Sequence, residues 1–169
     1  MADTQGGVED PALAEDDEFD GLVGIVADGV IGAAGGLVGT ALMTVVLLVT
    51  ESAGAFSRAA FGQLTQLVGL SAYVPEVAFG YLVFLAGGMF PWPLLFASLL
   101  NYLPGERMPV NGLFFGTALW TGFAMAFYDG FTGLTLVAYL GGTLVAHWVY
   151  GFSLGLVFEY LSERPDTLV

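Results

Sequence analysis

Four long runs without a charged side chain decide what this chain can fold into. Gly29–Thr50 is 22 residues, between Asp28 and Glu51, and Val77–Gly105 is 29, between Glu76 and Glu106. Met108–Tyr128 is 21 residues and stops at Asp129; Gly130–Phe158 is 29 and stops at Glu159. A helix needs about 20 apolar residues to cross a hydrocarbon core roughly 30 Å thick, so each run can span a bilayer once and none can span it twice. Unpaired backbone N–H and C=O groups cost several kcal/mol in hydrocarbon, which leaves helices or closed barrels as the only spanning structures. Barrel strands alternate apolar and polar residues, and Val45-Val46-Leu47-Leu48-Val49 does not. The expectation is helical.

Composition agrees. Of 169 residues, 56% are hydrophobic and 11% charged, and mean hydropathy is +0.78. A soluble domain carries roughly 25% charged residues, and one this small leaves too much surface wet to hide so much apolar area. The predicted fold class is therefore all-α, a polytopic transmembrane four-helix bundle with a short interfacial amphipathic helix. The transmembrane domain covers 21–163, with spans at about 29–50, 77–103, 108–128 and 140–160. The last begins late because Gly130, Gly133, Gly141 and Gly142 read as a loop or interfacial approach.

Two segments need separate treatment. In the second run, Gly87-Gly88-Met89-Phe90-Pro91-Trp92-Pro93 places two residues without an N–H donor near mid-span. A kinked span whose freed carbonyls are covered by neighbours is one reading; a broken or re-entrant segment lining a cavity is the other. Over about 55–70, Phe56, Ala60, Phe61, Leu64, Leu67 and Val68 fall on one helical face, with Arg58, Thr65 and Gln66 opposite. Such a segment lies in the interface plane or packs on the bundle end.

Charge sets the surroundings. Sixteen acidic residues against three basic ones give a net charge of -13. That balance excludes nucleic acid as a partner, since phosphate binding needs basic patches, and it suits a high-salt setting in which self-repulsion is screened. Eight of the acidic residues lie between Asp3 and Asp20, so residues 1–20 are read as a disordered acidic tail that cannot pack a core. Cysteine is absent, which removes disulfides and thiolate metal sites. With four spans, Arg107 and Arg164 share the side of both termini, and Arg58 lies on the other. The positive-inside rule then makes the termini cytoplasmic and the location a cell membrane.

Twenty-five glycines are about twice the usual share, and several recur four apart: Gly32 with Gly36, Gly35 with Gly39, Gly112 with Gly116, and Gly151 with Gly155. In lipid such pairs let helices approach until dispersion contacts dominate. The first span carries two overlapping pairs on adjacent faces, which marks it as the central helix or as a seam for self-association. Trp92, Tyr102, Tyr128 and Tyr160 sit near span ends as an aromatic belt would, whereas Trp120 and Trp148 lie deeper and should face protein.

Polar groups inside lipid are where function is sought first. His147, the only histidine, falls in the fourth span. It is the candidate for cofactor or proton contact, either as an imidazole bonded to a neighbouring helix or as a relay, quinone contact or interface ligand. One histidine cannot ligate haem from both sides, although Met43, Met89 and Met125 are other soft groups within the spans. Asp28 suits the N-terminal dipole of the first span, Asp129 should be wet, and Asn101 and Asn111 flank a hairpin turn at Leu103–Pro109. No catalytic residue, metal site or cofactor is predicted.

The segments Gly35-Gly36-Leu37-Val38-Gly39-Thr40-Ala41-Leu42-Met43-Thr44, Asn111-Gly112-Leu113-Phe114-Phe115-Gly116 and His147–Gly155 carry a resemblance over residues 30 to 160. The chain resembles an uncharacterised family of small four-helix membrane proteins of halophilic archaea. The resemblance implies no established activity. The resemblance implies that such proteins often carry a second histidine near the middle of the second span; Gly87-Gly88 stands there in this chain, which weakens any ligand role shared between helices. Small accessory subunits of haem–copper oxidases are similar in size and hydropathy, and a respiratory complex of that kind is a candidate partner. The leading expectation is a non-enzymatic accessory or structural subunit in contact with the lipid bilayer, self-associated or within a larger membrane complex. A small oligomeric channel or carrier using Pro91, Pro93 and His147 is the alternative.

Overall fold

The computed structural model describes the backbone of residues 11–162 and the side chains of 29–161. All regular structure within that range is helical: α1 Pro11–Ser52, a 3₁₀ turn Arg58–Phe61, α2 Gly62–Leu67, α3 Glu76–Met89, α4 Pro91–Leu99 with a 3₁₀ turn Leu100–Tyr102, α5 Met108–Ala126 and α6 Gly133–Ser162. Three segments, Gly29–Ser52, Glu76–Tyr102 and Gly133–Leu161, are long and apolar enough to cross a membrane. The acidic tail expected over 1–20 lies outside the described residues at 1–10, and side chains from there to Asp28 are likewise outside.

The helix at the centre is α6, packed against α1 on one side and α5 on the other. This corrects the expectation that the first span is central. The α5–α6 contact has one repeat. A Cβ on Gly155 would overlap the Met108 carbonyl, one on Gly112 the Gly151 carbonyl, and one on Gly116 the His147 carbonyl. Farther along, Trp120 Nε1 donates to Thr143 Oγ1 at 3.0 Å and Tyr139 Oη to the Ala124 carbonyl at 3.1 Å. Each step is four residues on both helices, so the two run antiparallel in constant register, with glycine admitting backbone contact at one end and side-chain bonds closing the other.

The start of α6 is a second correction. The helix begins at Gly133, not near 140. Gly130 and Gly133 do shape a turn, with φ of +73° and +58°, but Gly141 and Gly142 are helical. Gly142 faces Thr50 so closely that a methyl there would strike its side chain. The residue is small for packing, and in a helix with intact hydrogen bonds that serves close approach without ending the helix.

The two overlapping glycine pairs of α1 serve two neighbours. Gly35 and Gly39 meet Leu154, Val157 and Tyr150 of α6, whereas Gly32 and Gly36 meet Pro93 and the Gly88 carbonyl. The second run is interrupted at Phe90, which keeps a right-handed but distorted conformation (φ -116°, ψ -72°) between the end of α3 and the start of α4 at Pro91, where two nearby prolines remove N–H donors.

The segment after α1 differs from the expected amphipathic face. Phe56, Phe61 and Thr65 are buried, while Leu67 is 82% exposed and Val68 is exposed as well. The 3₁₀ turn at Arg58–Phe61 advances three residues per turn and resets the phase, so Phe61 and Thr65, four apart in the following helical turn, point inward. Thr65 Oγ1 donates to the Glu76 carbonyl, and Phe61 packs on Tyr81, Phe84 and Phe127. The segment closes the end of the bundle rather than resting beside it.

Candidate functional site

Between α3–α4 and α5 lies a cavity of about 480 Å³, floored by α1 and α6 and reached by Leu64 of α2. That volume falls within the range of small-molecule sites. Its walls are Val83, Phe84, Gly87 and Trp92 on one side and Ala118, Leu119, Gly122 and Ala126 on the other. Trp92, Thr121, Gly122 and Ala126 also reach the outer surface of the bundle, so the cavity opens sideways between α3–α4 and α5.

His147 lines its floor. The side chain is buried, and Nδ1 lies 2.8 Å from the Thr143 carbonyl one turn back. A carbonyl can only accept, so the proton sits on Nδ1 and the neutral ring presents Nε2 as an acceptor. Nε2 has no hydrogen-bond partner among the described residues. Phe123 stands edge-on to the imidazole at 4.7 Å between centroids and stacks on Phe127 at 4.3 Å. Phe56, Phe61 and Phe84 extend this cluster, so aromatic rings close the cavity toward the Arg58 end.

Tyr150, one turn beyond His147 on the same face, donates from Oη to the Gly88 carbonyl at 2.9 Å. The carbonyl at the proline break is thus covered by a neighbouring helix. Thr40 Oγ1 lies against Gly88, where a Cβ would overlap it, and it is buried with no hydrogen-bond partner. Met43 lines the same cavity; Met125 is exposed. No group of three or more His, Cys, Asp or Glu side chains able to hold a metal occurs among the described residues.

The structure therefore brings the Pro91/Pro93 break and His147 to one cavity. It leaves the acidic candidates elsewhere. Asp129 is exposed in the α5–α6 turn, and Glu159 pairs with Arg107 at 2.7 Å, tying the α4–α5 turn to the end of α6. Asn111 Nδ2 donates to the Leu100 and Leu103 carbonyls, which secures that same turn. Trp148 Nε1 bonds to Thr117 Oγ1 at 2.9 Å, so both deep tryptophans do meet α5 or α6, although Trp148 stays half exposed. Sequence reasoning missed Tyr150, Thr40 and Phe123. Tyr150 was within reach, three residues from His147 on one helical face; Thr40 and Phe123 carry no local signal.

No curated protein and no solved structure matches the chain. The profile of one family does, over residues 26–169. The chain belongs to that family, a family of unknown function (DUF6789).

Proposed function

We propose that this protein is an integral membrane protein crossing the bilayer four times, a non-enzymatic accessory or structural subunit with both termini in the cytoplasm. The observation that carries the fourth span is the four-residue register between α5 and α6, which sets α5 at the depth of a helix long enough to cross. Helix α5 is 19 residues, about 28 Å at 1.5 Å per residue. The Arg107–Glu159 pair supports the same topology by holding the α4–α5 turn at the C-terminal end of α6.

The accessory role rests on how the polar groups of the spans are used. Trp120, Trp148, Tyr139, Tyr150 and Thr44 are spent on ties between helices. The candidate glycine seams are occupied within one chain, and the α3–α4 span is the least covered of the three apolar ones. A partner helix on that span completes the reading. A net charge of -13 supports a halophilic setting, where salt screens the self-repulsion.

Solubilisation of native membranes in mild detergent tests the role. The chain should migrate in an assembly larger than itself; a stable isolated monomer overturns the accessory reading.

A further inference from the structure

We infer that the lateral cavity is a binding site for a lipid-soluble aromatic hydroxyl compound, a quinol, whose hydroxyl donates to His147 Nε2. The inference rests on the membrane reading above, since the cavity then opens to acyl chains and not to water. Three observations converge. The walls are apolar and aromatic, with Phe84, Trp92 and Phe123 offering faces and edges to a flat ring. The floor holds one accessible polar atom without a partner, and its tautomer is set by Thr143, so it accepts and does not donate. The mouth at Gly122 is unobstructed: a Cβ there would meet nothing within 4 Å, which leaves room for a tail to pass into lipid.

The direction of that hydrogen bond decides the ligand. Tyr150 Oη is committed to the Gly88 carbonyl, and Thr40 Oγ1 is packed against Gly88 out of reach. An oxidised quinone carries only acceptors and meets another acceptor at Nε2. The quinol carries the donor that Nε2 lacks, whereas Trp92 Nε1–H, on the cavity wall beside Gly87, can donate to an oxygen of either oxidation state. Burying a ring without that bond leaves Nε2 unpaired, and one hydrogen bond accounts for about a tenfold difference in affinity.

The single histidine makes the site observable. In the full chain reconstituted in nanodiscs and labelled with ¹⁵N-histidine, one Nδ1 and one Nε2 resonance are expected. Decyl-benzoquinol should shift Nε2 saturably with little change at Nδ1, and should bind at least about tenfold more tightly than decyl-benzoquinone. Gly122→Phe, placed where the structure leaves space, should abolish the shift while the helical circular dichroism stays unchanged. Equal affinity for the two oxidation states overturns the proposal. So does saturable quinol binding that survives Gly122→Phe, an absent Nε2 shift with every addition (a cavity holding water only), or decanol binding as tightly as the quinol. Carbonate extraction of the source membranes runs alongside: a chain that stays with the pellet but gives no Nε2 shift loses the ligand assignment alone, whereas release into the supernatant removes the membrane reading.

Discussion

The hydroxyl of Tyr150 lies 2.9 Å from the carbonyl oxygen of Gly88, joining the central helix to the break between α3 and α4. The bond gives the Gly88 carbonyl a donor from another helix, between Gly87 and Met89, whose carbonyls face the missing N–H groups of Pro91 and Pro93 four residues on. It also explains why the break can sit among apolar spans, because irregular backbone at that depth is tolerated when protein covers it.

Tyr150→Phe should therefore destabilise the fold by about 1 kcal/mol, the worth of one interhelical bond in this medium. Thermal or SDS-titrated unfolding of the purified protein in detergent reads it. Tyr73→Phe, at a position 81% exposed, should leave the midpoint unchanged. Equal behaviour of the two variants would deny the bond a structural role.

Gly112→Leu should be far more damaging. The added side chain would displace the Gly151 carbonyl at the α5–α6 contact, and overpacking of this kind costs about 1–3 kcal/mol or more. Gly122→Ala, three turns along the same helix and open to space, should be neutral or raise the unfolding midpoint slightly, since alanine favours helix by up to about 1 kcal/mol. The contrast between two glycines of one helix is the measurement.

Absence of cysteine makes topology testable with single introduced thiols. Glu106→Cys and Asp129→Cys lie before and after α5. A membrane-impermeant maleimide should label them from opposite faces of sealed vesicles, and position 106 from the cytoplasmic face. Labelling of both from one face would mean that α5 does not cross.

Arg107→Gln breaks the pair with Glu159. Because the arginine is largely exposed, the loss should stay below about 1 kcal/mol and shrink as salt is added. The whole chain should show the opposite trend: with a charge of -13, its unfolding midpoint should rise from dilute buffer to molar potassium chloride. A flat salt profile would remove the halophilic reading.

Much of this architecture was legible in the sequence, and the reasons are local. The uncharged runs that flank Glu51, Glu76, Glu106 and Asp129 state how many times the chain could cross, because the length of a helix and the solvation of its backbone are properties of the segment alone. Glycines four apart state that close helix contact occurs somewhere. They do not name the partner. Gly35 and Gly39 went to α6, Gly32 and Gly36 to the proline break, and Gly112 and Gly116 to Gly151 and His147.

The site shows the same division. His147 stood out as the one histidine in an apolar span, but its tautomer, the open Nε2, the cover of Phe123 and the cavity itself came from α3, α5 and α6 meeting. Composition and period therefore determined that this chain is a set of apolar helices with small-residue seams, since both act over a few residues. Which helix is central, where the broken span meets its cross-helix donor and what faces His147 were decided only by tertiary packing, because those contacts join residues from 24 positions apart, as Phe123 and His147 are, to 62 apart, as Gly88 and Tyr150 are, and farther, and no local pattern encodes the pairing.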